Sequence, residues 1–172
     1  KWIVYEPFEI QYPTIRESQH IEVLSRTHQK KIMNYIQEHF TFRNLGVLIC
    51  LSSGMRIGEI CALTWEDIDL NINTIFVTKS IYTKDKVSHI STTKTRAGTR
   101  RIILNKKLIT ELETWKEKQF NLLKAFTKEP LKLKIFQNSP VILTKDSIEK
   151  QYKKILSRDR KLKKIRIHDL RH

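Results

Sequence analysis

Leu51-Ser52-Ser53-Gly54-Met55-Arg56-Ile57-Gly58-Glu59-Ile60-Cys61-Ala62-Leu63-Thr64-Trp65 joins two helical patterns across a stop signal. The apolar run over residues 45–51 closes in Ser52-Ser53-Gly54, a composition that ends helices. A second apolar period follows at once, with Ile57, Ile60, Cys61 and Leu63 at helical spacing. Arg56 is thereby placed in the first turn of a short helix, where the macrodipole disfavours a cation. A guanidinium there has two readings. It pairs with Glu59, three residues on, for roughly a few tenths of a kcal/mol, or it meets an anion docked at the same helix end.

Upstream, Ser25 is a cap candidate for a helix over residues 25–40, with Ile32, Tyr35, Ile36 and Phe40 on one face. Residues 41–44 read as a turn. The helix over 45–51 is apolar almost all round, so a central, buried position is expected. Residues 1–20 do not look like a domain. Glu6-Pro7 and Tyr12-Pro13 force an extended path, and the stretch reads as a linker from something upstream.

Downstream, the Arg56 helix ends near Trp65-Glu66-Asp67, and Asn71-Ile72-Asn73 is a turn signal. The period then changes from helical to alternating, which predicts a strand over residues 74–80 carrying Ile75 and Val77 inward. Lys84-Asp85-Lys86 breaks it. A β-branched strand over 87–95 follows, then the short connection Arg96-Ala97-Gly98-Thr99 and a third strand over 100–104. The expected result is a three-stranded antiparallel meander whose tip is crowded by Lys94, Arg96, Arg100 and Arg101. Asn105 caps a long helix with Leu108, Leu112, Trp115, Leu122 and Phe126 on its apolar side, and Pro130 marks its end. Residues 127–143 read as a loop with an apolar patch at Val141, Ile142 and Leu143. Thr144 caps a last full helix, with Ile148, Tyr152, Ile155 and Leu156 facing inward. The fold class is mainly helical α+β: a helical bundle with a small three-stranded antiparallel sheet.

Over 172 residues, 33 Lys and Arg stand against 18 Asp and Glu, a formal charge of +15. Folding does not need that imbalance and self-repulsion works against it, so a polyanionic partner is implied, and nucleic acid is the commonest. Membrane surface is the competing polyanion, but no segment is apolar for the length of a span and no signal peptide opens the chain. Cys50 and Cys61 sit within apolar helical patterns and read as small buried hydrophobes of a reducing, cytoplasmic compartment.

Three separated elements offer a cation or an imidazole: Arg56, Lys94, and His168 with Arg171. Phosphoryl transfer uses that inventory. Two guanidinium groups can clamp both non-bridging oxygens of a phosphodiester. A lysine with a pKa lowered by neighbouring cations can protonate a leaving ribose oxygen, and an imidazole can relay a proton or donate to a phosphoryl oxygen. No acidic cluster at metal spacing lies beside them, so the expected scheme uses neither metal nor cofactor.

Ser53-Gly54-Met55-Arg56-Ile57-Gly58-Glu59-Ile60, followed by Leu63-Thr64-Trp65-Glu66-Asp67-Ile68, resembles the first arginine box of the tyrosine recombinases, the phage-type integrases. Thr93-Lys94-Thr95-Arg96-Ala97-Gly98-Thr99-Arg100-Arg101-Ile102 resembles their catalytic-lysine hairpin, and His168-Asp169-Leu170-Arg171-His172 their H-x-L-R-H box. All three occur in the family's order. The resemblance implies a catalytic domain over residues 21–172, after a linker from a core-binding domain, that cleaves and rejoins double-stranded DNA through a 3′-phosphotyrosyl intermediate. Arg56 and Arg171 would bind the scissile phosphate, Lys94 would protonate the leaving 5′ oxygen, and His168 would assist proton transfer, with Glu59 and His172 in support. The family's nucleophile is a tyrosine beyond the H-x-L-R-H box. Tyr5, Tyr12, Tyr35, Tyr82 and Tyr152 all precede that box, so this chain would lack its nucleophile and C-terminal segment and be inactive alone. The resemblance also implies a tetramer on DNA and, from the hairpin's likeness, mobile-element integration.

Rival readings attach to each group. His168 and His172, four apart beside an acid, come close to a zinc-binding pattern, but Arg171 would put a cation next to the metal and no third ligand is evident. Lys94 could be an edge-protecting lysine, and Lys79 is the chief alternative as general acid. Residues 150–166 hold nine cations in seventeen positions. Lys153, Lys154, Arg158, Lys161 and Lys164 among them, with Lys79, Arg96, Arg100 and Arg101, are the expected DNA contacts. The competing function is a protein that grips DNA with the same surface but does not cut. A type IB topoisomerase-like activity is a variant with the same site chemistry.

Overall fold

A computed structural model describes residues 23–85, 87–92, 99–138 and 145–171, the last without the Arg171 side chain. The expected linker over 1–20, the apolar patch at 141–143 and the Thr144 cap lie outside the described residues. Five helices and five short strands are described: α1 Arg26–Glu38, α2 Phe42–Ser53, α3 Ile57–Ala62, β1 Ile68–Asp69, β2 Thr74–Val77, β3 Lys79–Lys84, β4 Val87–Thr92, β5 Arg100–Ile103, α4 Lys106–Leu123 and α5 Lys145–Leu156. The fold is mostly helical α+β with small antiparallel sheets. None of the described helices is long and apolar enough to cross a membrane.

The capping residues act as their chemistry requires. Ser25 Oγ accepts the His28 N–H at 3.2 Å, and Asn105 Oδ1 accepts the Leu108 N–H at 2.9 Å. Residues 41–44 are not a turn. Thr41 Oγ1 accepts the Asn44 N–H at 3.1 Å and starts α2 at Phe42, because that hydroxyl satisfies a first-turn donor that would otherwise be orphaned. The helix ends at Gly54, at φ 62° in the left-handed region that glycine enters without steric cost. As its apolar composition implied, α2 is central: Leu45, Val47, Leu48, Ile49 and Cys50 are buried, and α1, α4 and α5 pack against it. One hydrophobic cluster runs from Leu24 to Leu170.

The strands depart from a simple meander. The expected strand over 74–80 parts at Thr78 into β2 and β3. β2 carries Ile75 and Val77 into the core and pairs with β1 and β5, giving a three-stranded sheet in the order β1-β2-β5. Its register sets Val77 opposite Arg100 and Ile75 opposite Ile102. β3 and β4 form a separate hairpin, with Lys79 opposite Thr92 and Lys84 opposite Val87. Among the described residues β5 therefore pairs with β2, not with β4. The chain can do this because Ile75 buries fully between Ile68 and Ile102 of its two neighbours, a cross-strand fit that β4, exposed along most of its length, does not offer.

Two helix readings also change. α4 ends at Leu123 rather than near Pro130, and its buried side is Leu108, Leu112, Trp115, Gln119 and Leu123, while Leu122 and Phe126 are exposed. The segment after it is not a plain loop. Residues 130–132 form a 3-10 turn, Lys134 bridges to Thr64, and Ile135 and Phe136 are buried. The final segment enters a 3-10 helix, Ile167–Arg171.

Candidate active site

Arg56 is the N-cap of α3 rather than a first-turn residue, with extended backbone at φ −71° and ψ 143°. The cation at the positive end of the helix is offset locally. Glu59 Oε2 accepts the Arg56 backbone N–H at 2.8 Å, and Oε1 accepts Arg56 Nη1 at 3.1 Å. Both readings of Arg56 therefore start from the same geometry: it is paired with Glu59, yet its side chain is 56% exposed while that of Glu59 is 3% exposed. Among the described residues, Nη1 is the one guanidinium nitrogen of Arg56 with a hydrogen bond.

Glu59 has a second cation. Arg100, at the start of β5, donates Nη1 to Oε1 at 3.0 Å and Nη2 to Oε2 at 2.7 Å, a bidentate pair. Burial pushes the Glu59 carboxyl up, but hydrogen bonds from Arg100 and Arg56 and the charge of Arg100 outweigh it, leaving it below its ordinary value. The same bonds to Glu59 hold Arg100 above the usual guanidinium value. Arg100 is the group that sequence reasoning placed elsewhere, as a DNA contact. Its fork is spent on Glu59.

Gly58, between Arg56 and Glu59, is where β3 comes closest. A Cβ there would stand 2.7 Å from the Ile81 carbonyl oxygen and 2.7 Å from Ser80 Oγ, so α3 can lie on β3 only with glycine at this position. Lys79, the first residue of β3, is also tethered to this region. Its Nζ lies 2.8 Å from Asp67 Oδ2 and donates to Thr64 Oγ1 at 3.1 Å. Asp67 also accepts the Thr64 N–H and hydroxyl at 2.7 and 2.8 Å. Beside this cluster Lys134 is buried with an Nζ that has no partner among the described residues. Burial, and then the charge of Lys79, hold it below the ordinary lysine value. Nothing in the sequence marked Lys134.

His168 is exposed and lies in the 3-10 helix Ile167–Arg171, which packs against α2. The next residue, Asp169, accepts Arg166 Nε at 2.9 Å. A cavity of about 310 Å³ borders His168 and is lined also by Glu149, Tyr152, Lys153, Arg166 and Ile167. The boxes around Arg56 and His168 meet at Cys50. Its Sγ lies 3.7 Å from the Met55 carbonyl oxygen and 3.7 Å from that of Ile167. These carbonyls immediately precede Arg56 and His168, so the two segments are held side by side.

Lys94, Arg96 and His172, with the side chain of Arg171, lie outside the described residues. Of the remaining expected contacts, Arg101 is exposed with its guanidinium 5.6 Å from the Phe76 ring centroid, and Arg158 is exposed 5.3 Å from that of Tyr35. Lys153, Lys154, Lys161 and Lys164 are exposed on α5 and the segment after it. Among the described residues no group of three His, Cys, Asp or Glu side chains could hold a metal ion.

A family model described as "Phage integrase family" matches residues 22–172. The ICEBs1 integrase of Bacillus subtilis (strain 168) is 35% identical over 145 residues, covering 83% of this chain and 39% of that protein. The "putative defective protein IntQ" of Escherichia coli (strain K12) is 45% identical over 58 residues, covering 33% of this chain and 14% of that one. Among solved structures, the Tn1549 transposon integrase in complex with transposon right end DNA superposes with a TM-score of 0.71 at 19% identity, over 91% of this chain and 52% of that one. The XerA recombinase superposes at 0.65 and 21% identity, over 94% and 50%. The two structural likenesses speak for the fold. The chain spans 39% of the length of the ICEBs1 integrase and about half of the two solved chains.

Proposed function

The chain belongs to the phage integrase family, and on that premise we propose that it is the catalytic domain of a site-specific DNA recombinase serving the integration and excision of a mobile element. Its substrate is double-stranded DNA, and the exposed cations of α5 and the segment after it track the phosphates. Arg56 and Arg171 hold the non-bridging oxygens of the scissile phosphate, where the charge of the transition state gathers. A tyrosine hydroxyl attacks phosphorus and gives its proton to the His168 imidazole, the bond to the 5′ oxygen breaks, and Lys94 gives that oxygen its proton. His168 donates a hydrogen bond to the phosphoryl group. The phosphotyrosyl ester conserves the bond energy until a DNA 5′ hydroxyl attacks it.

The observation that carries this reading is the Cys50 junction, which sets the Arg56 and His168 segments together although they are far apart in sequence. The described tyrosines do not suit the role of nucleophile. Tyr152 is buried and its phenol is pushed well above the ordinary value by that burial. Tyr35 and Tyr82 stack on His39 and His89, with ring centroids 4.4 and 5.4 Å apart. None of these three described tyrosines takes the role of nucleophile in this reading.

The test is Arg56→Ala in the natural protein at fixed salt. Strand cleavage should collapse while DNA affinity falls only modestly. If the two fall in proportion, Arg56 is one phosphate grip among many, and the protein binds DNA without cutting it.

A further inference from the structure

Two guanidinium groups compete for one buried carboxylate, and they do not share it equally. Arg100 takes both oxygens of Glu59 with both terminal nitrogens, whereas the guanidinium of Arg56 touches the carboxylate through Nη1 alone. A bidentate contact is the geometry a guanidinium and a carboxylate prefer. With only one cation present, the Arg56 side chain would rotate into that geometry, since the two residues already sit three apart on α3. Arg100 stands in the way. Its side chain is 29% exposed against 56% for Arg56, so the inner cation is the one from β5 and the outward one is the one from α3.

We propose that Arg100 is a positioning residue for Arg56: by occupying both oxygens of Glu59 it keeps that carboxylate from drawing the Arg56 guanidinium away from the scissile phosphate. The inference rests on the catalytic reading of Arg56 given above. Arg100 also begins the strand that follows the Lys94 segment, and its grip on Glu59 ties that strand to α3. The same side chain thus sets the orientation of one catalytic group and anchors the strand that follows another in sequence. Its role is to balance a buried charge; Arg101, exposed next to it, is the residue of the pair free to meet DNA.

The experiment compares Arg100→Met, Arg100→Lys, Glu59→Gln and Arg100→Met/Glu59→Gln, with Arg56→Ala as control, in the natural protein. The probe is a duplex from the end of its own element, nicked to trap the cleaved strand. Single-turnover cleavage at saturating DNA, affinity, and its salt dependence are measured on variants shown by circular dichroism to be folded. Arg100→Met should cleave about 100-fold slower, the scale of a displaced catalytic group, with affinity and salt slope unchanged. Arg100→Lys keeps the charge but not the fork, and should also be slow. Adding Glu59→Gln to Arg100→Met removes the carboxylate that traps Arg56 and should restore part of the rate, a rescue that loss of a mere structural contact would not give. The proposal is overturned if Arg100→Met loses affinity with a salt slope reduced by about one unit, as for a phosphate contact. It is equally overturned if Arg100→Lys cleaves at the wild-type rate, the arm that decides the matter should Arg100→Met fail to fold. Normal cleavage by Arg56→Ala would instead sink the catalytic reading itself. Loss of cleavage in Arg56→Ala with none in the Arg100 variants would sink this inference alone.

Discussion

The thiol of Cys50 lies 3.7 Å from the carbonyl oxygen of Ile167, 117 residues further along the chain. The same sulfur lies 3.7 Å from the carbonyl of Met55. A thiol has one proton and can serve only one carbonyl at a time, so the contact is as much a matter of size as of hydrogen bonding. Cys50 is the spacer between the segments that carry Arg56 and His168.

Enlarging that spacer should separate the two groups. Cys50→Leu overpacks a closed site, a change that costs about 1–3 kcal/mol, and cleavage by the folded fraction should fall about tenfold or more as the two segments shift. Cys50→Ala leaves a gap without pushing them apart and should cleave much faster than Cys50→Leu. Urea unfolding and single-turnover cleavage check the pair of variants. Equal rates for both would mean that Cys50 does not set the spacing.

Gln119 is expected to be worth more than a polar residue on a helix usually is. It accepts Trp65 Nε1 at 2.5 Å and donates to the carbonyl oxygens of Lys134 at 2.8 Å and of Gln137. It therefore fastens α4 both to Trp65, just after α3, and to the buried segment around Ile135. Gln119→Leu keeps the volume but orphans the Trp65 N–H and at least one carbonyl, for a loss of about 2 kcal/mol or more. Urea denaturation reads this directly. Cleavage per folded molecule should not change.

Lys134 should be a residue the fold is better off without. Its ammonium is buried beside Lys79 with no partner among the described residues, and such a group costs about 1–3 kcal/mol. Its folded pKa is below the ordinary 10.5, so the unfolded chain holds that proton more tightly and folding is penalised while the amine is charged. The penalty is full below the folded pKa and fades as pH rises through it toward 10.5. Lys134→Met should therefore stabilise the protein around neutral pH and gain less as pH approaches that value. Unfolding midpoints across that range are the measurement, and a gain independent of pH would show that charge burial is not the cause.

What could be read in advance divides along contact distance. The Ser25, Thr41 and Asn105 caps, the Gly54 stop and the Arg56–Glu59 pair all rest on residues within four positions of each other, where helix geometry brings side chains into contact; the structure differs in making Thr41 a cap instead of a turn residue and Arg56 an N-cap instead of a first-turn residue. Arg100 and Glu59 stand 41 apart. From the sequence Arg100 is one cation in a crowded hairpin tip, and no local pattern says which of its neighbours meets a carboxylate. The pairing of β5 with β2 was hidden for the same reason, since adjacency in sequence favoured β4. Gln119 and Lys134 look like surface residues by type, and their burial depends on Trp65 and Cys61 arriving from α3 and the turn after it. The arginine and histidine boxes are legible through their resemblance to the family's short contiguous motifs. How they are held together is not.

The last prediction separates two lysines. Lys79 and Lys94 both came forward as the general acid. Lys79 Nζ is committed to Asp67 at 2.8 Å and to Thr64 at 3.1 Å, with its side chain 23% exposed, so it would have to break both contacts to reach a leaving oxygen. Lys79→Ala should then act on the Asp67 cluster, lowering stability and slowing cleavage only to the extent that the protein unfolds. Lys94→Ala should slow cleavage of ordinary DNA severely. A substrate with sulfur in place of the leaving 5′ oxygen departs without protonation, and it should restore cleavage to Lys94→Ala and leave Lys79→Ala unaffected. Rescue of Lys79→Ala instead would transfer the general acid to β3, and would mean that the Asp67 pair opens when DNA binds.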